Sequence, residues 1–275
     1  MAEKIMKEMS FLDHLEVLRW LLIRSTIAML VMAAVVFVFS DIIFDDILFA
    51  PTKVSFITYT SFCDLSHFLG FADSICVTEL PFVIQNTAME GQVNVLVWTC
   101  ITAGFILSFP YILFEFWKFV SPALYENERK HVVWFILISS LLFFLGVLFG
   151  YYIVVPMSVH FFATFRVSDV VLNQFTLDSY ISMVKTSVLA SGLFFELPII
   201  IYFLTKIGLV TPTFLRKSRK IAIIIVLIVA AIVTPPDVVS QIIVTIPMLI
   251  IFELSVLISA FVVKKEEKQA GLSTT

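Results

Sequence analysis

The densest group of ionisable side chains in this sequence lies in one short stretch, residues 110–130, between two long apolar runs. It holds three carboxylates and three cations among aromatic residues: Glu115, Glu126, Glu128, Lys118, Arg129 and Lys130. Carboxylates of this kind can bind guanidinium groups through paired, charge-assisted hydrogen bonds. Because Arg129 and Lys130 adjoin Glu128, a surface ion pair within the stretch is the alternative to a site that binds an external cation.

A second candidate is an acid inside an apolar run, Glu196 in the sequence Phe194-Phe-Glu-Leu-Pro198. A charge at that depth in a membrane costs about 2.5–3.5 kcal/mol, so the carboxyl must be protonated, paired or facing water. Lys185 lies eleven residues earlier, a rise of about 16 Å, which is too far for a pair within one helix. We favour an acid that lines a polar path, and a structural hydrogen bond to a neighbouring helix stays open. Pro198 is expected to kink the helix here.

A third group of polar residues surrounds the short segment Thr234-Pro-Pro-Asp237. Thr234 and Gln241 are of the type that joins membrane helices by hydrogen bonds. Whether they join helices of this chain or a partner's helix is left open by the sequence. Glu253, further along the same apolar run, is an intramembrane acid whose role is also open.

Motifs for enzymatic chemistry are missing from the sequence. It contains no G-x-x-x-x-G-K-[ST] motif, no H-E-x-x-H motif and no Cys/His spacing suited to zinc. The four histidines are scattered, and nothing indicates a nucleophile with its base. We therefore expect a protein that is not an enzyme, with no cofactor, no metal and no nucleic-acid partner.

The composition indicates that apolar helices position these residues. The chain of 275 residues is 60% hydrophobic and 14% charged, with a mean hydropathy of +1.04. A membrane-spanning helix needs about 20 apolar residues. The sequence predicts an all-α membrane protein, a single six-helix domain over 1–275 with spans near 20–40, 92–114, 132–155, 179–205, 221–233 and 238–263. The charged tail, 264–275, is expected to be disordered.

The distribution of positive charge predicts the orientation of the spans. Fifteen of the 18 Lys and Arg residues fall at the N-terminal end, in the loops after the second and fourth spans, and after the sixth. The opposite side carries Lys53 and Arg166. Both termini are therefore expected in the cytoplasm. The segment before the first span has apolar residues at helical spacing and predicts an interfacial helix, and no cleavable signal peptide is expected.

The longest soluble segment is the first outer loop, Asp41 to Gly91. It carries seven acids, one lysine and two of the three cysteines, Cys63 and Cys76. These two can form a disulfide if the compartment oxidises thiols, and the sequence leaves this open at even odds. Cys100, inside the second span, is interpreted as a packing residue.

Four blocks of the sequence together resemble the TatC family, the polytopic receptor subunits of the twin-arginine protein translocase. They are Phe11-Leu-Asp-His-Leu-Glu-Val-Leu-Arg19, the 110–130 stretch with its F-P-Y-x-x-x-x-x-W-x-F-x-x-P-A-L-Y-x-x-E-R pattern, Phe195-Glu-Leu-Pro198, and Thr234-Pro-Pro-Asp-Val-Val-Ser-Gln241. The resemblance implies a protein of the bacterial inner membrane that recognises twin-arginine signal peptides of folded cargo. It also implies export driven by the proton-motive force, single-span partner subunits of the TatA/TatB type, and an oligomer in membrane lipid.

The resemblance also implies roles for individual residues. Glu128 would meet the arginine pair, supported by Phe119, Tyr125 and Arg129, with Glu16 as the second acid and Arg19 in the N-terminal block. Glu196 would lie along the path of the signal peptide's apolar part. The region of Thr234, Gln241 and Glu253 would receive a single-span partner helix.

Two positions depart from the family pattern. The family usually has an acid where this chain has Val17, and the nearest acid, Glu16, is rotated by about 100° on a helix. A position commonly held by Gln is Glu115 here, which adds negative charge near the predicted site.

Two further hypotheses complete the sequence-based picture. The alternative function is a proton-coupled small-solute transporter that uses Glu196 and Glu253, although such proteins more often show related halves.

The fifth span, 221–233, rises only about 20 Å against a hydrocarbon core of about 30 Å, so local thinning of the bilayer could accompany it. Extension of this helix through residues 215–220 is the alternative.

Overall fold

The computed structural model describes residues 11–68, 70, 76–120, 132–234 and 238–272. Its helices up to residue 164 are α1 (Phe11–Val38), α2 (Ile57–Phe68), α3 (Gly91–Val120), α4 (Val132–Phe149) and α5 (Val155–Thr164). The later ones are α6 (Leu177–Phe195), α7 (Leu197–Lys206), α8 (Pro212–Lys217), α9 (Arg219–Val233) and α10 (Val238–Leu272). Short helical turns cover Ser40–Ile42, Ile43–Leu48 and Ala50–Thr52, and a π-helical turn, Gly150–Val154, joins α4 to α5.

The long helices coincide with the predicted spans. In the described part of the chain, five segments are long and apolar enough to cross a membrane: Leu15–Val38, Gly91–Phe119, Val133–Thr164, Leu177–Lys206 and Ser240–Lys264. The remaining predicted span, 221–233, forms α9, whose 15 residues rise about 22 Å. The prediction of an all-α membrane protein is confirmed. The side on which each terminus lies stays a prediction.

Three local features differ from the expectations. From Phe11 on, the segment predicted as an interfacial helix is continuous with the first span, because α1 runs without a break from Phe11 to Val38; residues 1–10 lie outside the described part of the chain. At the other end α10 continues through Leu272 where disorder was expected, because the charged segment 264–270 is rich in strong helix formers and has no Gly or Pro. The segments between the long helices also contain a two-stranded parallel pairing of β1 (Val83–Gln85) with β2 (Gln174–Thr176), which the helical pattern did not predict.

By their internal contacts the residues form two compact units: Met1–Ser40 with Leu96–Ser140, and Asp41–Val95 with Leu141–Thr275. Two of the three boundaries fall inside α3 and α4, where no change of composition marks them in the sequence, and the third falls in the short turn Ser40–Ile42. The expectation of one membrane domain stays a prediction.

In the first unit, α1 and α3 approach closely at a glycine. A Cβ atom built on Gly104 would lie 2.7 Å from both the Ala33 nitrogen and the Met29 carbonyl oxygen. Only glycine therefore allows this backbone contact, as is usual where small residues bring membrane helices together. On the C-terminal side of the contact, the ring centroids of buried Trp117 and Phe135 lie 4.8 Å apart.

In the second unit, glycines bring the end of α4 and the π-helical turn against α6. A Cβ on Gly146 would lie 2.6 Å from the Ser191 carbonyl oxygen, and one on Gly150 would lie 2.8 Å from that of Ser187. The core beside them is a buried cluster from the turn, α6, α9 and α10: Val154, Phe194, Val226, Ala230, Val244 and Met248. Close helix packing thus holds this unit together.

Tyrosine hydroxyls of the second unit fasten the backbone of residues 47–51 to neighbouring elements. The buried hydroxyl of Tyr59 donates to the carbonyls of Pro51 at 3.0 Å and Pro156 at 3.1 Å. Tyr180 donates to the Leu48 carbonyl at 2.6 Å, and Tyr151 donates to that of Ile47 at 2.7 Å. These bonds hold the irregular backbone that carries the Ile47, Leu48 and Pro51 carbonyls against α2, the π-helical turn and α6.

Candidate functional site

A cavity of about 430 Å³ opens in the first unit between the N-terminal half of α1 and the C-terminal end of α3. Its lining combines two acids, two cations and aromatic side chains: Glu16, Val17, Trp20, Leu21, Arg24, Glu115, Lys118 and Phe119. Its volume lies in the range of about 300–1,000 Å³ that is usual for ligand sites. The mixture of charge and aromatic surface suits a ligand with cationic and apolar parts.

Helical periodicity explains why these side chains meet. On α1 the lining residues recur at intervals of three or four, and on α3 they occupy positions 115, 118 and 119, so each set forms one stripe along its helix. The close contact at Gly104 brings the two helices together and lets the stripes face each other. Both helices are regular here, which fixes the positions of the charged side chains.

The deepest charge in the cavity is Glu115, whose side chain is only 5% exposed. Its Oε1 accepts a hydrogen bond from Lys118 Nζ at 2.8 Å, one turn along α3. Its Oε2 accepts a longer one, 3.4 Å, from Arg24 Nη1 on α1. The two cations are about half exposed, at 47% for Lys118 and 51% for Arg24. One buried carboxylate is thus held by two cations at the rim of the cavity.

The structure brings together two of the residues predicted for signal-peptide binding. Glu16 and Phe119 both line the cavity. Val17, the position at which the resemblance led us to expect an acid, lines it as well, so the shift of the acid by one residue still leaves Glu16 at the cavity. Arg19 is exposed on α1 and is not part of this lining. Tyr125, Glu128 and Arg129 lie outside the described residues, and the chain enters their segment directly after α3.

Sequence reasoning missed Arg24 as a member of this site. Glu115 was recognised as one of the three carboxylates of the 110–130 stretch and as a departure from the family pattern, but its partner on α1 was not identified. A signal was available, because Arg24 is a cation inside an apolar span, and such residues usually pair with another charge. Trp20 gives the same cation an aromatic neighbour, with the guanidinium carbon 5.9 Å from the ring centroid.

The predicted break beside Pro198 is present. The helical run from Leu177 to Lys206 is interrupted at Glu196, which ends α6 and precedes α7, and Pro198 is in the first turn of α7. The Glu196 carbonyl accepts bonds from the amides of Ile199 and Ile200, each at 3.0 Å. The residue is buried at 7% exposure. An ionisable group at a helix break is typical of functional positions in membrane proteins.

Two of the three residues predicted to contact a partner helix, Thr234 and Glu253, have hydrogen bonds within this chain. Glu253 Oε2 accepts a hydrogen bond from Arg219 Nη2 at 2.7 Å, and both side chains are about half exposed. Thr234 is buried, and its hydroxyl donates to the Ala230 carbonyl at 2.9 Å. Gln241 lies on α10, partly exposed. A role in partner binding stays a prediction for all three.

Cys63 and Cys76 form a disulfide, with their Cα atoms 4.5 Å apart. His67 lies one helical turn after Cys63, and its Nε2 is 3.7 Å from the Cys76 sulfur and 3.9 Å from the Cys63 sulfur. These three side chains form the group among the described residues whose ligand atoms are close enough for a metal. Because the sulfurs are bonded to each other, neither is a thiolate that could hold one.

Known proteins resemble this chain along almost its whole length. The family model described as Sec-independent protein translocase protein (TatC) matches residues 13–247. The chain is 46% identical over 260 residues to the Sec-independent protein translocase protein TatC of Blattabacterium sp. subsp. Periplaneta americana, covering 94% of this chain and 98% of that one. It is 32% identical over 265 residues to the TatC of Aquifex aeolicus, covering 94% and 98%.

A solved structure agrees with the sequence relatives. The crystal structure of the twin-arginine translocase receptor TatC superposes with a TM-score of 0.69 and 32% identity, over 91% of this chain and 99% of that one. Similarity of fold and similarity of sequence thus each extend over more than 90% of this chain. The chain belongs to the TatC family of Sec-independent protein translocase proteins.

Proposed function

We propose that this protein is the subunit of a twin-arginine translocase that recognises twin-arginine signal peptides of folded cargo. The observation that carries the proposal is the cavity between α1 and α3, where two acids and two large aromatic residues meet: Glu16, Glu115, Trp20 and Phe119. Family membership gives the context, since the relatives are Sec-independent protein translocase proteins and the structural relative is a twin-arginine translocase receptor.

The chemistry of the cavity fits paired arginines better than paired lysines. A guanidinium group offers parallel N–H donors that match both oxygens of a carboxylate, whereas an ammonium group acts as a point charge. Guanidinium groups also stack on aromatic rings, and Trp20 and Phe119 supply such surfaces. With two arginines to bind, more than one acid is needed, and Glu128 in the adjoining segment is the third candidate.

The remaining steps of the proposal concern transport. Both termini lie in the cytoplasm of a bacterial inner membrane, so that the cavity opens toward newly made cargo. Glu196 lies along the path of the signal peptide's apolar part, and the Thr234, Gln241 and Glu253 region receives a single-span partner subunit. Folded cargo then crosses with those partners, driven by the proton-motive force. The protein itself is not an enzyme.

Binding to purified protein in lipid nanodiscs tests the recognition step. A fluorescent peptide with a twin-arginine leader is titrated against its Lys-Lys version. We expect the arginine peptide to bind at least about tenfold more tightly, a difference of about 1.4 kcal/mol, because the bidentate contacts are lost with lysine. Glu16→Gln and Phe119→Ala should weaken its binding.

The matched control is Glu90→Gln, which removes an exposed acid of the other unit and should leave the affinity unchanged. Equal affinities for the two peptides would contradict the proposal, and so would undiminished binding by both cavity variants.

A further inference from the structure

The buried acid of the cavity is already paired with an arginine of the chain itself. Glu115 uses one carboxylate oxygen for Lys118 and the other for Arg24. A ligand guanidinium that approaches this carboxylate, which is only 5% exposed, meets two like charges already placed at its oxygens, and their repulsion opposes its binding. For Glu115 to bind a ligand arginine, one of its two cations has to leave.

The two cations differ in how firmly they are held. Lys118 comes from the same helix, three residues away, and its nitrogen is at 2.8 Å. Arg24 crosses from α1, its nitrogen is at 3.4 Å, and its side chain is half exposed. The contact at 3.4 Å is long for a charge-assisted hydrogen bond. Arg24 is therefore the cation that can leave at lower cost.

Arg24 has an alternative contact on its own helix, the aromatic ring of Trp20. Its guanidinium carbon is 5.9 Å from the centroid of the Trp20 ring, one turn earlier on the same helix, where a cation–π contact can hold it. The Arg24 side chain is half exposed and lies in the N-terminal half of its span, so on release it can also extend toward the headgroup region. Arg24 therefore does not become an unpaired buried cation when it leaves Glu115.

We propose that Arg24 acts as an internal competitor for the arginine pair of the signal peptide. It occupies Glu115 until a ligand guanidinium displaces it, and Glu115 then becomes a direct ligand-binding acid. This inference rests on the proposed function and adds Glu115 and Arg24 as residues that set its affinity. When a ligand that has only ammonium groups displaces Arg24, the Arg24–Glu115 pair is replaced by a weaker contact between an ammonium group and Glu115. The exchange therefore favours ligands with arginine over ligands with lysine.

The alternative is that Arg24 and Lys118 only neutralise a buried carboxylate. In that case removal of Arg24 leaves Glu115 less well compensated, and peptide binding is unchanged or weaker. Competition makes the opposite prediction. The two accounts therefore differ in the sign of the effect.

Peptide titration in nanodiscs tests the inference with the variant Arg24→Gln. Competition predicts tighter binding of the twin-arginine peptide by about tenfold, which corresponds to about 1.4 kcal/mol. Arg219→Gln is the matched control, because it removes an arginine with similar exposure (48%) from another Arg–Glu pair, in the other unit. This control should bind like the unaltered protein. Unchanged or weaker binding by Arg24→Gln overturns the inference.

A second measurement uses the unaltered protein and does not depend on the folding of a variant. Phenylglyoxal modifies accessible arginines, and mass spectrometry locates the modified residue. Displacement predicts that the twin-arginine peptide increases the modification of Arg24, while that of Arg219 stays constant. No increase at Arg24 overturns the inference.

The two levels of the proposal fail in different ways. If the unaltered protein does not prefer the twin-arginine peptide to the Lys-Lys peptide, both the proposed function and this inference fail. If that preference is present but Arg24→Gln does not bind more tightly, only the inference fails.

Discussion

Glu115 and Arg24 are 91 positions apart in the sequence, yet the Arg24 Nη1 and Glu115 Oε2 atoms lie 3.4 Å apart. The pair joins the first two long helices at the end where the predicted arginine-binding segment begins. It forms because α3 carries an acid and the first span carries a cation at facing positions.

The Glu115 pairings should contribute to the stability of the first unit. Glu115→Gln removes the charge while preserving the size of the side chain. Because both cations are half exposed and can extend toward the headgroup region, we expect a modest loss of about 1 kcal/mol in unfolding free energy. Thermal unfolding in nanodiscs measures it. Glu90→Gln, at an exposed position, is the control, and a loss in the control as large as that of Glu115→Gln would contradict the account.

Tyr59→Phe should destabilise the second unit, because it leaves the carbonyls of Pro51 and Pro156 without this donor. We expect a loss of about 1–3 kcal/mol in unfolding free energy. The exposed Tyr111, changed to Phe, is the control with the same chemical substitution. An equal effect of the two changes on the thermal midpoint would contradict the role given to the Tyr59 hydroxyl.

The hydroxyl of Tyr59 also has a pH signature. Burial raises its pKa above the ordinary value of 10.0. The unfolded chain therefore ionises first, so the stability from this group is present below about pH 10 and declines as the pH rises above that value. The difference in thermal midpoint between the unaltered protein and Tyr59→Phe should shrink above pH 10. A difference that grows there would contradict this assignment.

The disulfide allows the predicted orientation to be tested. In intact cells, a membrane-impermeant reductant followed by a membrane-impermeant maleimide should label Cys63 and Cys76, because their loop is predicted to lie outside. Cys100 is buried in α3 and should stay unlabelled. A Cys63→Ser/Cys76→Ser double variant, in which Cys100 is the remaining cysteine, should therefore show no labelling. That variant should also lose about 2–4 kcal/mol of stability. Labelling only in inverted vesicles would contradict the orientation.

The length of α9 tests the hypothesis of bilayer thinning. Its 15 residues rise about 22 Å, less than a hydrocarbon core of about 30 Å. Insertion of four leucines into α9 should reduce export of folded cargo if a short span matters for passage. The same insertion near the end of α10 is the control. Undiminished export with the lengthened α9 would contradict thinning and favour simple extension of the helix.

The sequence predicted the helices well, because runs of apolar residues of this length have few other structures available. It also predicted the break at Glu196, since Pro198 removes a backbone donor. It could not predict the pairing of Arg24 with Glu115, which depends on the close approach of α1 and α3 at Gly104. The pairing of β1 with β2 was missed for a related reason, because three-residue strands in long loops carry no periodic signal.

Photo-crosslinking from Leu21 tests the central claim most directly, since this residue lines the cavity without a charge of its own. A photoreactive amino acid is placed there in the full-length protein in native membranes, with Leu107 on the exposed face of α3 as the control position. Precursors with a twin-arginine leader should crosslink at position 21 and not at 107, and Lys-Lys precursors at neither. Equal crosslinking of both precursors at position 21, or none of either, would contradict recognition of paired arginines at this cavity.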